Sequence, residues 1–179
     1  MQKFCLTILS FVVVLAMVGS ANADRGRGSR GDGNDKGLEC RARLSGDQEV
    51  PPVTTITTGR FRIEFNENET AAKFELRVND GERVRQAHIH CAPAGVNGAI
   101  VAFLAGLHNP GWDVDGRWID NATLTDVNIM APNAACPNSI ANLRDLAQAG
   151  RDGNLYANVH TTANPSGVAR GQLECKDED

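Results

Sequence analysis

The feature that most constrains the fold of this chain is a series of short segments in which apolar and polar residues alternate. In residues 38–44, leucine, cysteine and alanine alternate with glutamate and arginine. Successive side chains of a β-strand point to opposite faces, so this pattern predicts a strand with one buried and one exposed face. Further strands are predicted at 60–65, 73–78, 84–91, 99–104, 155–160 and 168–175. Many short amphipathic strands predict an all-β domain, either a β-sandwich or a partly closed barrel.

Two stretches between these segments are predicted to lack long strands. The cluster Asn-Asp-Gly at 79–81 predicts a turn between the strands at 73–78 and 84–91. Residues 105–137 are the least regular part of the chain, and they predict only a short strand at 122–129.

One short helix is predicted before the strand at 155–160. Asn138 or Ser139 is a suitable cap, the helix continues through Ala149, and Gly150 is a suitable stop. Its apolar face is formed by Ile140, Leu143, Leu146 and Ala147.

The N-terminal residues are typical of a secretory signal peptide over 1–23. A lysine near the start is followed by an apolar run at 4–18 and by the small residues Ala-Asn-Ala at 21–23. The apolar run is shorter than the roughly 20 residues that a membrane-spanning helix needs. We therefore expect a secreted protein, extracellular or periplasmic, with no membrane span in its mature chain.

The segment that follows the predicted signal peptide differs from the rest of the chain. Residues 24–37 contain no apolar residue other than glycine and are dense in charge, which predicts a disordered leader. The folded domain is expected over residues 38–176, with an acidic tail at 177–179.

The charge of the chain argues against two classes of partner. The net charge is −4, and cleavage of the predicted signal peptide would also remove the positive charge of Lys3. Nucleic-acid binding usually requires a basic patch, and anionic membrane surfaces attract basic segments. We therefore expect neither nucleic acid nor a membrane surface as the main partner.

Four of the five cysteines lie beyond the predicted signal peptide. An even number in an exported chain predicts disulfide bonds, and three pairings are possible. Cys40 and Cys175 lie at the two ends of the predicted domain, which favours a Cys40–Cys175 bond and leaves Cys91–Cys136. A metal site built from the thiols is the alternative, but the chain contains no C-x-x-C spacing that would support it.

Three of the four histidines are candidates for one shared site. On the strand at 84–91, His88 and His90 are two residues apart and should point to the same face. His160 lies on a later strand and can complete a three-histidine set, which suits copper or zinc. The alternative is a half-buried polar layer in which the rings bind neighbouring loops through hydrogen bonds.

Two charged residues are candidates for supporting roles beside these histidines. Glu49 precedes a pair of prolines that stiffen the segment, so it is a candidate ligand, base or supporting group. Arg170 precedes Gly171, which predicts close backbone packing there. Its guanidinium can bind a carboxylate through two hydrogen bonds, and we favour Glu49 over an anionic ligand as that carboxylate.

The sequence favours a protein without enzymatic activity. No Ser-His-Asp or Cys-His arrangement supplies an activated nucleophile, because the cysteines are expected to be bridged. Asn68 and Asn121 begin glycosylation sequons, which matter only in a host that glycosylates.

Four separated motifs resemble the CHRD domain, which is named after chordin and also occurs in single-domain exported bacterial proteins. They are LSGDQEVPPV at 44–53, the hairpin after Thr58-Gly59, AHIHCAPAGVNGAIV at 87–101 and NLYANVHTTANPSGVARGQL at 154–173. The resemblance covers about residues 38–175. It implies an antiparallel Greek-key β-sandwich, immunoglobulin-like or Cu/Zn superoxide dismutase-like, with one short helix. It also implies an extracellular location, but no defined activity. Chordin binds bone morphogenetic proteins largely through other modules, so that activity is not carried over.

A fainter likeness connects the chain with Cu/Zn superoxide dismutase. The H-x-H strand, the later Val159-His160 pair and an arginine shortly before Cys175 are similar to that enzyme. The dismutase needs a bridging histidine and a zinc set, whereas only His108 remains here. The comparison therefore favours a single copper or zinc site over a complete dismutase centre.

These observations lead to two hypotheses. The first is a secreted, non-enzymatic CHRD-type binding or structural module whose partner is an unidentified extracellular protein or small ligand. The second is a copper- or zinc-binding protein, either a metal carrier or an oxidoreductase, that uses His88, His90 and His160. In both cases the three rings should converge, with Glu49 and Arg170 beside them.

Overall fold

The computed structural model describes residues 37–130, 136–137 and 139–178. The predicted signal peptide at 1–23 and the leader at 24–37, apart from its last residue, lie outside these described residues. Among the described residues, no helix is long and apolar enough to cross a membrane.

The described chain consists mainly of antiparallel β-strands with one short helix, as the alternating pattern predicted. The helix α1 spans Leu143–Arg151, and single 3-10 turns span Gly46–Gln48 and Asp126–Asn128. The eight strands are β1 Leu38–Leu44, β2 Thr58–Phe65, β3 Ala72–Cys91, β4 Ala99–Ala105, β5 Trp112–Leu124, β6 Leu155–Thr161, β7 Ala169–Gln172 and β8 Glu174–Asp177.

All eight strands belong to one sheet, in which β7, β6, β3, β2, β1 and β8 follow one another. The sheet nearly closes on itself, because Ser45 at the end of β1 pairs with Arg170 of β7. This architecture agrees with the predicted all-β class and with its partly closed barrel alternative. The apolar faces of the strands and of α1 form one core.

The central strand β3 is 20 residues long, and the turn predicted at 79–81 is wrong. Its first half pairs with β2 and β5, and its second half pairs with β4 and β6. The register to β5 shifts on both sides of Gly81, and Asp80 has a positive φ of 52°. The Asn-Asp-Gly cluster therefore forms a bulge, which absorbs extra residues and bends the strand without ending it.

The 13-residue strand β5 lies within the region that was predicted to be irregular. It pairs along the first half of β3, yet most of its residues are exposed or half-buried on both faces. Apolar and polar residues alternate over 112–118, but the apolar residues there are at most half-buried, and the alternation shifts at Ile119, where the register to β3 also shifts. These residues were therefore not predicted to form one long strand.

The helix begins later than predicted, and Gly150 has a different role. Asn142 is the N-cap, and its side chain accepts a hydrogen bond of 3.0 Å from the backbone N–H of Asp145. Gly150 lies inside the helix and does not end it. A Cβ atom at Gly150 would lie only 2.9 Å from the Sγ atom of Cys175, so glycine is required there for packing.

Both predicted disulfide bonds are confirmed. Cys40 and Cys175 are directly opposite each other on β1 and β8. Cys91 is the last residue of β3 and is bonded to Cys136, in the segment before α1. The second bond therefore ties that segment to the end of the strand that carries the histidine pair.

Candidate metal site

Strand register brings His88, His90 and His160 to one face of the sheet. On β3, Ala87 and Ile89 are completely buried in the core, so His88 and His90 point to the other face. On β6, Asn158 lies directly opposite His88. His160, two residues further along β6, therefore projects from the same face as His88 and His90.

The three imidazole rings converge as the sequence predicted. The Nδ1 atom of His88 lies 3.0 Å from the Nε2 atom of His160. One ring nitrogen from each of the three residues can be chosen so that all three lie within 4.8 Å of one another. The rings are also well shielded, with exposed fractions of 1% for His88, 8% for His90 and 4% for His160.

Backbone carbonyls fix the orientation of two of the rings. The Nδ1 atom of His90 lies 3.0 Å from the carbonyl oxygen of Gly98, and that of His160 lies 3.0 Å from the carbonyl oxygen of Pro165. A carbonyl oxygen only accepts hydrogen bonds, so both Nδ1 atoms carry the hydrogen. Both Nε2 atoms therefore present a lone pair, the arrangement typical of metal-ligating histidines.

The surroundings keep all three histidines neutral. Burial, together with the neighbouring His160 and His90, lowers the pKa of His88 to about 3. Burial likewise lowers the pKa of His90 to about 4, although the hydrogen bond to Gly98 opposes this shift. Burial also lowers the pKa of His160. At neutral pH each ring therefore has the unprotonated nitrogen that metal binding requires.

Two of the ring nitrogens have no hydrogen-bond partner. The Nε2 atoms of His88 and His90 are buried and make no hydrogen bond. A buried polar atom without a partner costs about 1–3 kcal/mol, so native proteins rarely leave one unsatisfied. The arrangement is therefore suited to a bound cation.

Aromatic side chains enclose the histidines on two sides. The ring of Tyr156 stacks on His90, with 4.9 Å between centroids and an interplanar angle of 9°. Its hydroxyl accepts a 3.0 Å hydrogen bond from the backbone N–H of Gly98. The ring of Phe103, on β4, packs edge-on against His88 at 4.6 Å. These walls restrict the access of water to the rings.

Glu49 lies near the histidines but is not among the grouped ligand atoms. Its carboxyl group is buried, and burial raises its pKa to about 7, opposed by the charge of Arg170 and by a hydrogen bond from Asn158. A Cβ atom built on Gly167 would lie 2.6 Å from Oε1 of Glu49, so the glycine makes room for the carboxyl group. The structure therefore places Glu49 beside Asn158 and Gly167.

Arg170 connects two loops through its guanidinium group. Nε donates a 2.5 Å hydrogen bond to the carbonyl oxygen of Gln48, and Nη1 donates a 2.9 Å bond to Oδ1 of Asn97. The guanidinium carbon lies 4.7 Å from the centroid of the Tyr156 ring. The predicted ion pair with Glu49 does not occur among the ion pairs of the described residues. The guanidinium group donates instead to a backbone carbonyl and a side-chain amide oxygen, which lie within reach of its planar set of N–H donors.

The fourth histidine, His108, lies outside the group and stacks on Trp112 with 3.7 Å between ring centroids.

Several residues that surround the site were not identified from the sequence. Tyr156 and Asn158 alternate with His160 on β6, so the strand period could have assigned them to the same face. No local pattern indicated the contacts of Phe103, Asn97 and Pro165, because these depend on loops and strands distant in sequence.

One of three comparisons with known proteins gave a match. The family model of the CHRD domain matches residues 40–173, which include all the strands that carry the site. No curated protein and no solved structure gave a match. With three quarters of its length matched to that family model, the chain belongs to the CHRD domain family.

Proposed function

We propose that this CHRD-domain protein binds one copper or zinc ion through His88, His90 and His160. The convergence of the three neutral imidazoles carries this proposal, with two of their Nε2 lone pairs set by hydrogen bonds to backbone carbonyls. Imidazole suits both metals, and the general order of stability favours Cu²⁺ over Zn²⁺ at a site of this type.

The surroundings of the three histidines favour stable binding of an ion rather than catalysis. All three rings are nearly inaccessible, and Tyr156 and Phe103 cover two sides of the cluster. A hydrolytic zinc site keeps one position open to water and substrate. The proposed role is therefore that of a non-enzymatic metal-holding module or metal carrier.

The place of action is proposed to be outside the cytoplasm, in a periplasm or an extracellular space. The two disulfide bonds and the CHRD domain fit an oxidising compartment. The predicted signal peptide supplies the route, with the folded domain starting near residue 38. An unidentified extracellular protein or small ligand remains the proposed partner of the first hypothesis.

The Greek-key order implied by the CHRD resemblance is also a proposal. It is supported by the spatial order of the strands β3, β2, β1 and β8, in which the last strand of the chain, β8, lies beside the first, β1. A Greek key has three consecutive strands and a fourth that returns by a long connection to lie beside the first.

Elemental analysis of the purified protein tests the metal proposal. After exposure to Cu²⁺ or Zn²⁺ and extensive dialysis, we expect about one ion per chain to be retained. His160→Ala and the double variant His88→Ala/His90→Ala should lose the ion. The matched control is His108→Ala, which removes the histidine that lies outside the group and should retain it.

The same experiment separates metal binding from a purely structural polar layer. Copper and zinc both at background in the wild-type protein would contradict the proposal. Loss of stability in the metal-free His160→Ala variant, with no metal bound by the wild type, would identify the cluster as structural.

A further inference from the structure

A row of exposed arginines crosses the outer face of the sheet. Arg43 of β1 lies directly opposite Arg60 of β2, and Arg60 lies opposite Arg77 of β3. Arg77 in turn lies opposite Arg117 of β5. Four neighbouring strands thus each place one arginine in a single row. With about 4.8 Å between strands, the row spans about 14 Å.

The three arginines of β1, β2 and β3 in this row have free guanidinium groups. Within the part of the chain that the structure describes, Arg43, Arg60 and Arg77 are exposed and their side chains make no ion pair or hydrogen bond. Arg117, at the end of the row, is 2.8 Å from Asp120. The positive charge of the middle of the row is therefore not neutralised within the chain.

The row lies in a groove of about 560 Å³, which we call the arginine groove. The acidic residues that line it are Glu75 and Glu174. The groove is thus basic although the whole chain has a net charge of −4. Its basic residues are Arg41, Arg43, Arg60, Arg62, Arg77 and Arg117.

This arrangement is unfavourable for folding alone. Like charges directly opposite each other on neighbouring strands destabilise a sheet, whereas opposite charges stabilise it. In the next row of the same sheet, Arg62 lies opposite Glu75, so an acidic partner is compatible with this surface. Three adjacent unpaired arginines are therefore best explained by an anionic ligand that neutralises them.

We propose that the arginine groove binds a linear acidic polysaccharide through its sulfate or carboxylate groups. A guanidinium group binds either anion through two parallel hydrogen bonds, and a narrow polyanion can follow a row of such groups. A DNA duplex is wider than a single saccharide chain and would extend from the row onto the rest of the acidic chain, which repels its dense negative charge. The outward positions of β1, β2 and the first half of β3 are polar, whereas a peptide-binding face usually has apolar anchors.

Binding of a heparin hexasaccharide to the full chain tests this proposal, and a galacturonate hexasaccharide shows whether carboxylates suffice. The test variant is Arg60→Gln/Arg77→Gln, which removes two charges from the middle of the row. The matched control is Arg83→Gln/Arg144→Gln, which removes two exposed charges outside the groove. We expect saturable binding that weakens at least tenfold in the test variant and less than twofold in the control.

Three results would overturn the proposal. They are an equal loss of affinity in the control, no saturable binding of either saccharide by the wild type, and equally effective competition by a short DNA duplex. Thermal unfolding supplies a second check, since removing like charges from the row should leave the unfolding temperature unchanged or raise it. A lower unfolding temperature of the test variant would contradict the unfavourable pairing of the arginines.

Discussion

The Nδ1 atom of His88 and the Nε2 atom of His160 lie 3.0 Å apart, although the two residues are 72 positions apart in the chain. The Nδ1 atom of His160 donates to the carbonyl oxygen of Pro165, so its Nε2 atom is an acceptor. Without a metal, His88 must therefore donate the hydrogen in this contact. Its Nε2 atom then carries the lone pair that has no hydrogen-bond partner.

We expect the protein to release its metal only at a pH well below the ordinary pKa of histidine. Burial lowers the pKa of His88 to about 3 and that of His90 to about 4. Protons therefore compete with the metal only in strong acid, and we expect retention to be constant from pH 8 to about pH 5. Equilibrium dialysis at a series of pH values, with circular dichroism to confirm folding, measures this. Release with a midpoint near 6.5, the ordinary histidine value, would contradict the shielded site.

The buried carboxyl group of Glu49 should destabilise the protein at neutral and alkaline pH. Its folded-state pKa is raised from 4.5 to about 7, so the stability present below pH 4.5 is lost as the pH rises through 7. Glu49→Gln removes this ionisation. We expect the variant to exceed the wild type by about 1–3 kcal/mol in free energy of unfolding at pH 8, and to match it near pH 4.5.

Urea unfolding of metal-free protein at both pH values checks this difference. The histidines contribute the opposite slope, because their lowered pKa values make the unfolded state bind more protons between about pH 4 and 6.5. They are present in both proteins, so they cancel in the comparison. Equal stability of the wild type and Glu49→Gln at pH 8 would show that Glu49 is not held in a destabilising environment.

Replacement of Arg170 should weaken both the fold and the histidine site. The guanidinium joins Gln48 and Asn97 and covers Tyr156, which stacks on His90. We expect Arg170→Lys to lose about 2–4 kcal/mol in free energy of unfolding, because lysine keeps the charge but lacks the planar fork.

Urea unfolding and metal affinity of Arg170→Lys are the measurements for this prediction. Arg144→Lys, at an exposed position on α1, is the control and should be close to the wild type. A stability of Arg170→Lys equal to that of the wild type would mean that the hydrogen bonds of the fork do not matter.

Gly167 should tolerate no side chain, for a reason that goes beyond its backbone angle. Its φ is 137°, and a Cβ atom would lie 2.6 Å from Oε1 of Glu49 and 2.6 Å from Nδ2 of Asn158. Gly116 is the matched control, since its φ is 119° but no atom lies within 4 Å of its Cβ position. Gly116→Ala should cost about 1–2 kcal/mol from backbone strain, whereas Gly167→Ala should cost about 2–4 kcal/mol. Thermal or urea unfolding compares the two, and equal losses would remove the role assigned to the contact with Glu49.

The strands with one buried face could be predicted from the sequence, and the two disulfide bonds could be predicted from the positions of the cysteines. Strand β5 was not predicted as one strand, because its apolar residues other than Leu124 are at most half-buried and register shifts interrupt their alternation. The bulge around Gly81 resembled a turn, because Asn, Asp and Gly favour both. The convergence of His88, His90 and His160 was predicted, but the pairing of Arg170 was not, since its partners come from two separate loops.

The sequence by itself determined which side chains face the core and which face outward, because the period of a strand is a local property of the chain. It therefore assigned the histidines of β3 and the arginines of β1 and β2 to the sides of their strands that face away from the core. Only the tertiary structure decided which outward side chains meet, because register between strands depends on pairing over long distances. That register set His160 beside His88 and aligned Arg43, Arg60 and Arg77 into a basic row on an acidic protein.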